Sequence, residues 1–104
     1  MEKLFIVTRK DLEPGDLLAQ TAHAVAEFAK EHRALFERWH DVSNTIIVKV
    51  ADDELELKKL LHRAIDRDIR FSRFHEPDMD DALTALAFEP AGSSLVRNFP
   101  RAFE

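Results

Sequence analysis

An amide and an imidazole three residues apart, Gln20 and His23, are the side chains of this 104-residue chain whose types and spacing best suit chemistry. Both fall in a segment, Leu17 to about Ala29, with helical periodicity. The run Glu13-Pro14-Gly15-Asp16 precedes it and reads as a turn, with Asp16 as a candidate cap. A histidine can move protons near neutral pH, and a glutamine amide both donates and accepts hydrogen bonds. A helix start beside a strand end is a usual place for a site, because the first backbone N–H groups point outward unpaired. Spacing alone favours a plainer reading, in which Gln20 and His23 are the wet side of an amphipathic helix with Asp16, Glu27 and Lys30.

Other chemistries find less support. There is no cysteine, which excludes disulfides, thiolate metal sites and a cysteine nucleophile. The two glycines, Gly15 and Gly92, lie outside any phosphate-binding loop pattern. His62 and Asp66 share a helix face, but no His/carboxylate metal signature surrounds them, so no metal site is expected. Ser43, Ser72, Ser93 and Ser94 lack a nucleophile-elbow setting. A net charge of −5 argues against avid nucleic-acid binding overall. Local basic groups exist all the same: Arg67, Arg70 and Arg73; Arg97 and Arg101; Lys58, Lys59 and Arg63. Each is either a phosphate platform or ordinary solvated surface, and the net charge favours the latter. No apolar run is long enough to span a membrane and the start has no signal-peptide layout, so a cytoplasmic protein is expected.

The elements that must position Gln20 and His23 follow from the apolar pattern. Lys3 to Thr8 reads as a strand greasy on both faces, Asn44 to Val50 as a second, Ile69 to Phe74 as a third and Leu83 to Phe88 as a fourth. Between them the pattern predicts helices over Leu17 to Ala29, Arg33 to His40 and from Asp52 or Asp53 onward, with a short one at Ser93 to Asn98. The first helix is expected to bury Leu18, Ala22, Val25 and Ala29, its alanines allowing close approach to a sheet. Strands separated by helices call for parallel pairing, whereas the acidic Glu76 to Asp81 connection is too short for a crossover and calls for an antiparallel last strand. The expectation is one α/β domain over residues 1–104, a three-layer α/β/α sandwich with a mixed four-stranded sheet.

The segment from Arg9 to Ala24 resembles the signature of the type 2 peptidyl-tRNA hydrolase family. Arg9, Asp11 and Leu12 match its Arg-x-Asp-Leu start, Gly15 its turn, and Ala19, Gln20, His23 and Ala24 its Ala-Gln-x-x-His-Ala helix. Thr84 to Pro90 is similar to the family's Thr-x-Leu-Ala-Ile-Gly-Pro strand, and Asp78 matches its acidic active-site position. The likeness spans essentially the whole chain. It implies a three-layer domain, usually dimeric, that uses no metal or organic cofactor and hydrolyses the ester joining a peptide to the terminal ribose of tRNA. It further implies His23, Asp78 and Thr84 as catalytic residues, with Arg9, Lys10, Asp11 and Gln20 at the substrate.

One position departs from the pattern. The family's turn is longer and lysine-rich, with a lysine just before Ala-Gln; here Asp16 and Leu17 stand in a turn two residues shorter. Exchanging a cation for an anion reverses an interaction of about 4 kcal/mol at roughly 4 Å and an effective dielectric near 20. Two function classes therefore stay open: an esterase acting on peptidyl-tRNA or a related aminoacyl ester, and an inactive relative serving as a dimeric binding module.

Overall fold

A computed structural model describes residues 2–104. In chain order the elements are β1 (Lys3–Arg9), α1 (Pro14–Glu31), α2 (Arg33–Val42), β2 (Thr45–Ala51), α3 (Glu54–Asp66), β3 (Phe71–Glu76), β4 (Ala82–Phe88) and α4 (Ser93–Val96). Single 3-10 turns occupy Pro77–Met79 and Pro90–Gly92. The sheet order is β2-β1-β4-β3. The β1–β2 pair is parallel and joined through α1 and α2, while β4 runs antiparallel to both β1 and β3. The expected α/β fold with its antiparallel last strand is the one found.

Side chains alternate along β1 and so feed two cores. Leu4 and Ile6 pack with Phe28 of α1, Trp39 of α2, and Ala85 and Ala87 of β4. Phe5 and Val7 pack on the opposite face with Leu57, Leu60 and Leu61 of α3 and with Leu86 and Phe88. A strand buried on both faces must be apolar throughout, which is why Lys3 to Thr8 reads as it does.

Three expectations about α1 are corrected. The helix begins at Pro14, not Leu17, so the Pro-Gly-Asp run is its first turn rather than a separate turn. Glu13, not Asp16, occupies the N-cap, and Asp16 sits within the first turn, where an acidic side chain suits the helix dipole. The buried face is Leu17, Gln20, Ala24 and Phe28, leaving Leu18 60% exposed. Burying Leu17 and Phe28 removes far more apolar surface from water than burying Ala22 and Ala29 would. The small residues that let helix and sheet approach are Ala24 on the helix and Ala85 and Ala87 on the strand.

β3 starts at Phe71 because Ile69 belongs to the end of α3. Asp68 is left-handed (φ 54), its N–H donates to the Ile65 carbonyl at 3.1 Å, and the Ile69 N–H donates to that of Ala64 at 3.0 Å. These are the paired bonds of a Schellman termination, with Asp in the place glycine usually takes. At its other end α3 is capped by Asp53, whose carboxylate accepts from the Glu56 N–H at 2.9 Å, while Glu56 reaches back to the Asp52 N–H at 2.6 Å. α4 stops at Val96 after one turn, shorter than the helix expected to Asn98.

The hairpin β3–β4 carries a bulge. Phe74 pairs with Ala85 while the next residue, His75, pairs with Leu83, which leaves Thr84 as the extra residue on β4. A bulge re-aims side chains locally. Here it turns both Thr84 and Ala85 toward the α1 layer.

Candidate functional site

The carboxyl ends of β1 and β3, the bulged start of β4 and the first turns of α1 meet at one end of the sheet, and the buried side chains of Thr8, Gln20 and Thr84 converge there. Thr84 is fully buried, and its hydroxyl donates to Gln20 Oε1 at 2.9 Å, with the Phe74 carbonyl at 3.3 Å. Gln20, only 3% exposed, donates from Nε2 to Glu76 Oε2 at 2.8 Å. The second carboxylate oxygen of Glu76 accepts the backbone N–H of Asp78 at 3.3 Å, closing the 3-10 turn that follows. The result is a chain of hydrogen bonds running hydroxyl to amide to carboxylate, each member polarising the next. The carboxylate end is half-buried and reaches the surface.

This chain explains why Gln20 faces inward. A glutamine on the sheet-facing side of a helix is costly unless its amide is satisfied at both ends. The bulge supplies the donor and the hairpin supplies the acceptor. Below the chain, the Thr8 hydroxyl donates to the carbonyl of Thr84 at 3.1 Å and fixes the bulge to β1.

His23, one turn beyond Gln20, is exposed and stacks flat on Phe74, with ring centroids 4.4 Å apart and an interplanar angle of 11°. The stack fixes the imidazole at the mouth of the site, within electrostatic reach of Glu76. The Gln20 amide bond, the Asp78 N–H and the charge of His23 together hold the Glu76 carboxyl below its ordinary value. It is therefore a standing anion at neutral pH.

Of the residues expected at the site, His23, Gln20 and Thr84 are brought together. Asp78 lies in the adjoining turn with its carboxylate exposed, contributing a backbone N–H to Glu76. Arg9 grips Asp11 through two bonds of 3.0 and 2.9 Å and donates to the Leu83 carbonyl at 3.3 Å, which braces the start of the β1–α1 loop against β4. Its guanidinium keeps the Asp11 carboxyl below the usual range. Lys10 points to Asp52, 3.1 Å away in an exposed pair. Glu54, at the start of α3, accepts the Leu83 N–H at 2.8 Å and so holds the same strand end from the other layer. Among the described residues no group of three or more His, Asp or Glu is placed to hold a metal ion, and His62 and Asp66 form no such group.

Glu76 and Phe74 are the participants that sequence reasoning did not single out. Glu76 reads as one of four acids in a loop, and nothing in its neighbours distinguishes it. Even a register count that allowed for the bulge sets it opposite Ala82, and only the Gln20 amide joins it to Thr84.

Comparisons with known proteins bear on the family and the fold. The family described as peptidyl-tRNA hydrolase PTH2 matches residues 2–104. A solved structure of a protein of unknown function from Agrobacterium tumefaciens strain C58 superposes with a TM-score of 0.67 at 15% identity, covering 96% of each chain. At that identity the likeness speaks for the fold alone. No curated protein matches the chain.

Proposed function

The chain belongs to the peptidyl-tRNA hydrolase PTH2 family, and from that premise we propose that it hydrolyses the ester bond of peptidyl-tRNA, or of a related aminoacyl ester, releasing free tRNA. The observation that carries this reading is the Glu76 carboxylate, anchored by Gln20 and the Asp78 N–H beside the stacked imidazole of His23. A fixed anion next to an imidazole stabilises the imidazolium that forms when histidine takes a proton. In the proposed reaction His23 removes a proton from water as the water oxygen attacks the ester carbonyl. The tetrahedral intermediate then collapses, and His23 returns the proton to the departing ribose oxygen. One water is consumed, and acid and alcohol leave.

His23 is the catalytic residue in this scheme. Glu76 sits behind it, and Thr84 and Gln20 are positioning residues, since both are buried and act through the carboxylate. Asp78 acts through its backbone, and Arg9, Asp11 and Lys10 shape the rim. The test is release of free tRNA from N-acetylaminoacyl-tRNA by purified protein. Wild type is expected to turn over, His23→Ala to lose nearly all activity, and Glu76→Gln to lose most of it. Asp78→Asn is expected to retain activity. Absence of turnover by wild type, or full turnover by His23→Ala, sinks the proposal.

One observation favours the second reading, a binding module that has lost hydrolysis. Asp16 stands in the first turn of α1, and Glu76, Asp78, Asp80 and Asp81 follow one another on the facing loop. That reading expects no release by wild type and gain of release in Asp16→Lys. The hydrolase reading also carries a homodimer in the cytoplasm. Support for the dimer comes from the outward strip of α1, where Leu18, Ala19, Ala22 and Ala26 are exposed, and sedimentation velocity tests it. Among the described residues no helix is long and apolar enough to cross a membrane.

A further inference from the structure

A depression of about 510 Å³ lies away from the Thr84–Gln20–Glu76 chain, on the outer side of α3 where α4 and the following segment pack against it. Lys59, Arg63 and Arg67 line it at successive i,i+4 positions, all exposed, and none has a carboxylate partner among the described residues. Arg63 lies over the ring of Phe99, with the guanidinium carbon 6.0 Å from its centroid. Arg73, Arg97 and Arg101 lie outside this depression, and two other basic groups singled out by the sequence are neutralised. Lys58 is paired with Glu54 at 3.7 Å and Arg70 with Asp68 at 2.8 Å. On a protein of net charge −5, a concave row of three unneutralised cations calls for an anionic partner.

We propose that the row Lys59–Arg63–Arg67 binds the phosphodiester backbone of an RNA, holding the stem of the substrate whose ester end is presented to His23. The identity of the RNA as substrate rests on the hydrolase reading above; the binding of backbone does not. The helix rise places adjacent cations of the row about 6 Å apart and the whole row over about 12 Å. That length suits successive phosphates and exceeds a single phosphate group. Ser94 and Asn98 face the same depression and offer polar partners for ribose hydroxyls. The two acids on its rim are already engaged, Asp52 with Lys10 and Glu56 with the Asp52 N–H. Lys10, which directly follows Arg9 of the site, reaches the Asp52 rim of the depression, and from there the row runs along α3 on the sheet face opposite α1.

The test is fluorescence polarisation with labelled deacylated tRNA over a salt series. Wild type is compared with Lys59→Ala/Arg63→Ala/Arg67→Ala and with a charge-matched control, Arg33→Ala/Arg38→Ala/Arg70→Ala, in which each removed cation is already ion-paired. The row variant is expected to flatten the slope of log Kd against log salt by about 2–3 and to weaken binding roughly 100-fold at about 0.1 M salt. The control is expected to stay within about threefold of wild type, since its cations are neutralised at home. Equal binding by the row variant and wild type overturns the proposal. Displacement of the tRNA by inorganic phosphate at equal phosphate concentration also overturns it, marking a single-phosphate site instead. Hydrolysis of N-acetylaminoacyl-adenosine, which has no stem, separates the two claims. The row variant should cleave it as wild type does. Failure of wild type on both esters, with tRNA binding still lost in the row variant, removes the hydrolase reading and leaves this one standing.

Discussion

Replacing Thr84 by valine keeps the shape of a fully buried side chain and removes one hydroxyl. That hydroxyl is the donor to Gln20 Oε1 at 2.9 Å, and Gln20 is itself 3% exposed, so water has little access to the abandoned oxygen. A buried acceptor left unpaired costs about 1–3 kcal/mol. Taking ~2 kcal/mol, the midpoint of thermal unfolding falls by roughly 8–16 °C for a domain of this size. Gln20→Leu should cost less, because the Thr84 hydroxyl still has the Phe74 carbonyl at 3.3 Å and Glu76 is open to solvent. The double variant removes both partners together and should be no less stable than Thr84→Val alone, giving a coupling energy of about 1–2 kcal/mol. Catalysis should not follow stability. Gln20→Leu and the double variant remove the side-chain anchor of Glu76, and Thr84→Val loosens it through Gln20, leaving the Asp78 N–H alone or nearly so. The kcat for ester release should then drop about tenfold, equivalent to ~1.4 kcal/mol, with KM unchanged. Urea unfolding and steady-state release of tRNA measure the two quantities. Additive stabilities in the cycle, or a Thr84→Val variant as stable as wild type to within about 0.5 kcal/mol, would refute the hydrogen-bond chain. A double variant with restored kcat would refute its role in positioning.

Glu76 is held below its ordinary carboxylate value, so its ionised form contributes to folding in full above the unfolded-chain value near about 4.3, and that contribution is lost as pH falls through the lower folded value. The stability gap between wild type and Glu76→Gln should thus be flat above about pH 5 and close in acid; a urea series from pH 3 to 7 in which the gap widens on acidification contradicts the assignment. Gly15 lies inside the first turn of α1, has no need of a positive φ, and a Cβ there would meet nothing within 4 Å, so Gly15→Ala should stabilise by about 0.5–1 kcal/mol in chemical denaturation. Gly92→Ala should destabilise instead, because its Cβ would stand 3.1 Å from Ile69 Cγ2 and 3.3 Å from Phe88 Cβ in a packed corner. Asp16→Lys should lower stability by about 1 kcal/mol, since a favourable helix-dipole charge is exchanged for an unfavourable one, while raising hydrolysis of N-acetylaminoacyl-tRNA at low salt; unchanged turnover would place Asp16 away from the substrate's path.

The sequence by itself determined the layers. Strands apolar on both faces must lie inside, connections holding a helix must cross over, and the short acidic connection must be a hairpin, so the mixed sheet with its antiparallel last strand was legible from local pattern. The motif around Gln20 and His23 was legible for the same reason, since its residues are neighbours in the chain. The inward face of α1 was not. Periodicity allowed Leu18, Ala22, Val25 and Ala29 as readily as Leu17, Gln20, Ala24 and Phe28, and the choice was made by the area Phe28 buries and by partners for the Gln20 amide that lie 56 and 64 residues away. Only the tertiary structure selected Glu76 among the loop acids, because its place depends on a single extra residue at Thr84 that shifts the hairpin register. Residue type and short spacing are written in the chain. Which carboxylate meets which amide depends on how two strands slip past one another by one residue, and no local pattern records that.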